Sequence, residues 1–508
     1  MEKPKSQVEL SEKYGTLSGG LTVPVKSAFF GARRVRMVGR WCVVALACFW
    51  TGVGLGAEEV AGKPGEHDHL YQLKERRVEV LPGGLSRVRV HNIVKVLNES
   101  AVDEVGTVSI GYNGHYASAN LISAFTLTAA GERREIDRKV VQDRASGDAD
   151  GLMYTDARLL TFSLPAVQVG ATVEYEVEIA GKEPVIPQQA WDQCTVREGV
   201  PVELFRYELK TPAGMTFAVD EQGPRMSMSE HSGEGVLTRV WEARNLPAVE
   251  FEAGMPTWPE VAGEISVSSL PDWPSLKTWF TGLAAGKEVI DPELAAAAKQ
   301  VVGQSSDPGE TLCRLYRFVH REVRYVGIEL GQGAYEPRPA VSCYRQRYGD
   351  CKDQAVLLTG LLRQAGLEAD LVLVRPAGLG PVAQKTPSPA QFNHVIVGVK
   401  LPEGTRWVDP TIRYMAEPLL PPSLEGAAAL PLAGDGTLIT LRQTAPERHL
   451  QRSVYDIEID PFGKAVITDT DECHGGAGIW TRESYLHTKE SERRQHLEEY
   501  IEGKGRSP

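Results

Sequence analysis

Arg347-Tyr348-Gly349-Asp350-Cys351-Lys352-Asp353-Gln354-Ala355 decides how this 508-residue chain is read. A tight turn runs into a helix there, with a cysteine on the first helical turn. Gly349 permits the sharp change of direction. Asp350 suits the N-cap, because its carboxylate can accept from a free backbone N–H of the first turn. Ala355, Leu358, Leu361, Leu362 and Ala365 then fall on one face at helical spacing, and Gly366 supplies the stop. Cys351 is therefore expected at the positive end of a buried helix, which favours thiolate over thiol. A thiolate is a nucleophile when a base lies nearby.

Two later segments offer the base and its orienter. Gln391 to Val399 reads as a strand from its β-branched run and carries His394. Thr405 to Thr411 reads as a short strand that Pro410 ends, and it carries Asp409. Leu401-Pro402-Glu403-Gly404 between them is turn chemistry. A hairpin about that turn brings Asp409 opposite the His394–Val397 stretch, with the register open by a residue or two. A thiol at a helix start, a strand histidine and an adjacent strand aspartate make a Cys-His-Asp arrangement.

Tyr348-Gly349-Asp350-Cys351-Lys352-Asp353, Phe392-Asn393-His394-Val395-Ile396 and Trp407-Val408-Asp409-Pro410-Thr411, in this order, resemble the bacterial transglutaminase-like superfamily. The resemblance implies a papain-like core with a catalytic triad carried by Cys351, His394 and Asp409. Arg324 to Gly331 and Gly333 to Pro337 match the subgroup in which a β-rich domain of unknown function precedes the core. The resemblance runs from about Leu70 to Thr411. It also implies an oxyanion donor upstream of the cysteine, for which Tyr325, Gln332 and Tyr335 stand as candidates; packing and turn roles are the alternative for all three. Relatives continue into a larger C-terminal β domain, so the last segment is expected to be partial.

The fold class expected is α+β: a papain/transglutaminase-like core preceded by an all-β sandwich-like domain, with a partial β-rich C-terminal segment. The boundaries expected are 1–57 for an N-terminal extension and signal peptide, 65–255 for the β domain, 270–420 for the core and 421–508 for the remainder. The net charge of -12 argues against a general nucleic-acid binder, which needs a basic stripe. The sequence holds no P-loop, dinucleotide fingerprint, HExxH or paired CxxC, so neither cofactor nor metal is expected. The 7 cysteines are irregularly spaced and form no disulfide framework.

Residues before Met37 read as polar and patternless. Arg33-Arg34-Val35-Arg36, the apolar run Trp41 to Leu55 and the small residues to Ala57 then follow the order of a secretory signal. Met37 is the expected start and Ala57 the neighbourhood of cleavage. Export to the periplasm or exterior follows, with an uncleaved membrane anchor as the rival and cell-envelope association as its consequence. Ala171 to Ile179 alternates cleanly, with Val173, Tyr175, Val177 and Ile179 inward. Ser86 to Val96, Val202 to Leu209 and Gly235 to Trp241 read as further strands. His67, His69, His91 and His115 are scattered and read as solvated or hydrogen-bonded; Tyr154, Asp156 and Arg158 read as structural. Phe251 to Pro271 reads as a linker. Asp291-Pro292 and Asp307-Pro308 each cap a helix, and His320 falls off the apolar stripe of the second, where solvent is expected. Ser453–Ile459 and Lys464–Thr470 read as a hairpin, and Ser491–Ile501 as a polar helix.

The residue types point to acyl chemistry on a peptide or protein substrate. Cys351 attacks an amide carbonyl, His394 manages the proton, and Asp409 fixes the imidazole tautomer. Water resolves the thioester in a peptidase or amidase, the favoured reading for an exported enzyme working in bulk water. An amine resolves it in a protein-crosslinking transglutaminase, the first alternative. A non-enzymatic envelope binding scaffold is the second, and the complete triad argues against it. The sequence does not speak to oligomeric state.

Overall fold

A computed structural model of the chain describes residues 7–11, 16–22, 67–146, 153–415, 418–442, 446–459, 461, 465–493 and 495. The expected signal lies outside these residues, as does most of the expected helix at 491–501. No helix among the described residues is long and apolar enough to cross a membrane.

The first domain is all-β. Its main sheet has 8 strands, with Ser86–Val96 at the centre between His69–Val80 and Thr172–Gly181. Neighbouring strands are antiparallel except Val202–Pro212, which runs parallel to His69–Val80. Alternation sorts the side chains as expected: Val173, Tyr175 and Val177 are buried, while Glu174, Glu176 and Glu178 lie on the other face. That polar face is tied by ion pairs such as Arg77–Glu176 and Arg89–Glu178. Two three-stranded sheets cover the apolar face. One, from Thr107–Asn113, Ala157–Ser163 and Gln142–Ala145, closes a core around Phe162 and Tyr175. The other closes a core around Phe205, Tyr207 and Trp241.

The centre of that second small sheet is Glu264–Ser268, paired with Trp191–Thr195 on one side and Ala218–Gln222 on the other. Phe251–Pro271 is therefore not a plain linker. Thr257 and Glu260 form a capping box on the helix Trp258–Ala262, and Ile265 and Val267 are fully buried. Alternating Ile265, Val267 and flanking serines carry the strand signal, which the surrounding Pro and Gly residues obscure.

The second domain is built around the helix Cys351–Gln364, every residue of which is buried from Cys351 to Leu362. One side packs on an antiparallel five-stranded sheet ordered Gly404–Val408, His394–Leu401, Ala369–Arg375, Ala428–Pro431, Ile439–Thr440. The helices Trp273–Ala284, Pro292–Val302 and Pro308–Glu322 join the same core. Each of the three starts at an aspartate whose carboxylate accepts from a first-turn N–H: Asp272 from Ser275 at 2.8 Å, Asp291 from Leu294 at 2.9 Å and Asp307 from Glu310 at 2.7 Å.

The C-terminal hairpin is present as Gln451–Ile459 and Ala465–Cys473. Two differences from the sequence reading occur here. Gln7–Ser11 and Thr16–Thr22, in the stretch read as patternless, are strands that extend this hairpin into a four-stranded sheet. The helix Gly475–His487 was not anticipated, because its three early glycines hide it from a propensity argument.

Candidate active site

The turn before Cys351 is fixed by polar contacts within the core. Asp350 is the N-cap, and its carboxylate accepts from the Asp353 N–H at 3.1 Å. Asp353 returns the contact by accepting from the Asp350 N–H at 3.2 Å, completing a capping box. Arg338 grips the same Asp353 carboxylate through Nε at 2.9 Å and Nη2 at 2.7 Å, while its backbone N–H donates to Oδ1 at 2.8 Å. Gln354 Nε2 donates to the Gly349 carbonyl at 3.1 Å. Gly349 is required for proximity and not for a left-handed φ: a Cβ there would lie 2.7 Å from Cys343 Sγ and 2.8 Å from Asp353 Cβ. Lys352 is buried against Asp350; burial disfavours its charge, but Asp350 and Cys351 outweigh that and hold the ammonium well above its ordinary range.

Cys351 is the first helical residue, where backbone N–H groups lack intrahelical partners. His394 opens the neighbouring strand, and the hairpin register left open by the sequence is Val397 opposite Val408, one residue before Asp409. His394 Nε2 meets Asp409 Oδ2 at 2.8 Å, both side chains being buried. Cys351 lies near enough to the imidazole to favour its protonated form. Burial presses His394 towards neutrality, yet Asp409 and Cys351 prevail and raise its pKa well above the usual histidine range. Asp409 is itself anchored: its Oδ1 accepts from Thr411 N at 2.9 Å and Thr411 Oγ1 at 2.7 Å. Burial alone would raise its pKa, but the imidazole and these donors lower it. The three residues singled out by sequence are thus brought together.

The three upstream candidates part company. Tyr325 lies on a short strand with Arg324, parallel to Tyr348-Gly349 and directly opposite Gly349. Its hydroxyl is buried and has no hydrogen-bond partner among the described residues. Burial, and then the negative charges of Cys351, Asp350, Glu329 and Asp409, keep it protonated far beyond the tyrosine range. It is thus a buried, protonated hydroxyl on the strand that pairs with the turn before Cys351. Tyr335 instead packs between Trp279 at 5.6 Å and Tyr116 at 6.3 Å, centroid to centroid, and Gln332 contributes its carbonyl to a turn.

His320 corrects an expectation. It is buried, 8% exposed, stacked edge-on against Tyr316 at 4.2 Å, and burial pushes its pKa down to about 4. It misses the heptad-like stripe but faces the loop after Asp409, which Tyr316 holds by donating to the Ile412 carbonyl at 2.9 Å. Arg338 and Thr411 were missed. A D-x-x-D spacing signals the capping box, but nothing local announces Arg338, whose partner is 15 residues away.

Asp156 and Arg158 of the first domain do not pair with each other. Arg158 pairs with Asp143 at 2.9 Å, and Asp156 crosses to the second domain to accept from the Gly331 N–H at 2.6 Å. His91 lies between Glu75 at 3.3 Å and Glu174 at 3.0 Å. Among the described residues, Asp68, His69 and Glu104 bring potential metal-ligand atoms within 4.8 Å of one another, all in the first domain.

Comparison with known proteins agrees with this architecture. Residues 82–250 match a domain of unknown function, DUF3857, and residues 295–410 match the transglutaminase-like superfamily. No curated protein is matched by sequence. The crystal structure of a candidate protease from Parabacteroides distasonis ATCC 8503 superposes with a TM-score of 0.63 at 16% identity, covering 80% of this chain and 93% of that one. That likeness establishes the shared fold. A candidate cysteine protease from Cytophaga hutchinsonii aligns at 12% identity over 44% of this chain and 78% of its own, with a TM-score of 0.20, too low to bear on function.

Proposed function

From a chain that carries a transglutaminase-like core behind a DUF3857 domain, we propose a cysteine enzyme that cleaves amide bonds of peptides or proteins through a thioester. One observation carries the reading: buried His394 is paired with Asp409 at 2.8 Å, and Cys351 at the start of the neighbouring helix is close enough to act on its charge. Cys351 is the nucleophile, and His394 accepts its proton. Asp409 orients the ring and stabilises its charge. The thiolate attacks the carbonyl carbon, and the oxyanion that forms accepts from the Cys351 backbone N–H and the Tyr325 hydroxyl. His394 then gives its proton to the leaving amine. Water, deprotonated by the same imidazole, resolves the thioester and releases the acid.

The fold's resemblance to a candidate protease supports a peptide or protein substrate. Export remains part of the proposal, from the charged, apolar, small-residue order of residues 33–57, and cleavage there separates Gln7–Ser11 and Thr16–Thr22 from the C-terminal hairpin, leaving it two-stranded. N-terminal sequencing of native protein tests it; recovery of residues before Trp41 from native material excludes cleavage. The reaction is tested by incubating the protein with a peptide library, with and without a labelled primary amine. Cleavage without label incorporation, abolished by Cys351→Ala, is expected. Label incorporation identifies a transglutaminase. Neither product from the wild type leaves the binding scaffold.

A further inference from the structure

The arm that carries Tyr325 into the site is pinned by the core at Arg324-Tyr325 and, just beyond, by the other domain. After Tyr325 the chain forms the strand Gly327–Glu329, whose sheet contains one other strand among the described residues, Met153–Thr155 of the β domain. The pairing is parallel, with Gly327 opposite Met153, Ile328 opposite Tyr154 and Glu329 opposite Thr155. A two-stranded pair is marginal by itself, so its end contacts matter. At that end Asp156 accepts from the Gly331 N–H at 2.6 Å, and Tyr116 donates to the Gly331 carbonyl at 3.3 Å. Both backbone groups of one core residue are therefore satisfied by the β domain. Gly331 also has φ +56°, and a Cβ there would lie 3.3 Å from His115 Cε1. A glycine adopts this left-handed conformation most easily, and a side chain here would press on His115.

We propose that Asp156 is a positioning residue for the Tyr325 hydroxyl, acting through Gly331 and the Gly327–Glu329 strand. The proposal rests on the reading of Tyr325 as an oxyanion donor. The His394–Asp409 pair and the Cys351 turn are braced inside the core, so Asp156 affects the oxyanion and leaves thiolate formation alone.

Two reagents separate these steps on the full chain. Iodoacetamide alkylates the thiolate by displacing iodide at carbon, with no oxyanion. 4-Nitrophenyl acetate acylates it through a tetrahedral oxyanion, forming the thioester as 4-nitrophenolate leaves. Asp156→Ala is expected to slow the nitrophenolate burst about tenfold, the scale of one charge-assisted hydrogen bond, while alkylation stays within about twofold of wild type. Asp156→Asn, whose amide oxygen can still accept from Gly331, restores most of the burst. Gly331→Ala, made from the other side of the contact, reproduces the selective loss. The proposal is overturned if Asp156→Ala acylates at the wild-type rate, or if burst, alkylation and melting temperature fall together and Asp156→Asn does not rescue. A burst that survives Cys351→Ala defeats the underlying reading of the nucleophile instead, whatever Asp156 does.

Discussion

The two halves of the site are braced in opposite ways. Cys351, His394 and Asp409 are held by neighbours in the core: a capping box, the Arg338 fork on Asp353, and Thr411 under Asp409. Tyr325 continues into a strand whose partners belong to the β domain. A second crossing lies on the His394 side, where Ser266 Oγ meets Thr386 Oγ1 at 2.8 Å, in the loop that leads to the histidine. The difference teaches that the Cys351–His394–Asp409 cluster is braced chiefly within one fold, whereas the Tyr325 arm is shared between the core and the β domain.

Substitutions can break this comparison, and the largest effects belong to the core half. Cys351→Ala is expected to remove turnover by on the order of 10⁴-fold or more, and His394→Ala nearly as much. Alkylation near neutral pH, mapped by mass spectrometry, is expected to strike Cys351 first. Burial raises the Cys194 thiol to about 11 and also pushes Cys343 upward. Labelling of another cysteine ahead of Cys351 would sink the assignment.

Asp409→Asn comes next, roughly a hundredfold milder than losing the histidine, because the amide still accepts from the imidazole. Its signature is in pH. The folded pKa of His394 is raised above 6.5, so its pairing stabilises the fold fully below that value. The contribution is lost as pH rises through the raised folded pKa. Asp409→Asn lowers that folded pKa, so both the alkaline fall in stability and the alkaline limb of activity should move to lower pH. Denaturant titrations across the alkaline range and a kcat/KM profile measure the two; an unmoved limb counts against the pair.

The smaller effects sharpen the contrast. Tyr325→Phe should slow acylation by roughly 10²-fold, the scale of one oxyanion donor, with alkylation unchanged. Parallel loss of both rates would mean that Tyr325 acts on the thiolate. Gly349→Ala should cost about 1–3 kcal/mol of stability by forcing a methyl against Cys343 and Asp353, read from the midpoint of denaturation. Limited proteolysis gives the least change: the first cut between the domains is expected near Phe251, 81% exposed, and not within the paired strand 264–268. Early cutting inside that strand would restore the plain-linker reading.

Local signals made much of this legible. Asp-Pro caps, the Gly-Asp-Cys turn, the alternation at 172–179 and the hairpin carrying His394 and Asp409 are short-range patterns, and short-range sterics and periodicity set them. Cys351, His394 and Asp409 could therefore be named from sequence. Tertiary structure alone decided which upstream tyrosine lies against the turn before Cys351, because Tyr325 and Tyr335 have the same chemistry and differ only in what packs against them. It likewise decided that His320 is buried, that Arg338 grips Asp353 and that Asp156 reaches Gly331 across 175 residues. Such contacts leave no period or spacing in the chain, since their partners meet only in the folded core or, for Asp156 and Gly331, across the two domains.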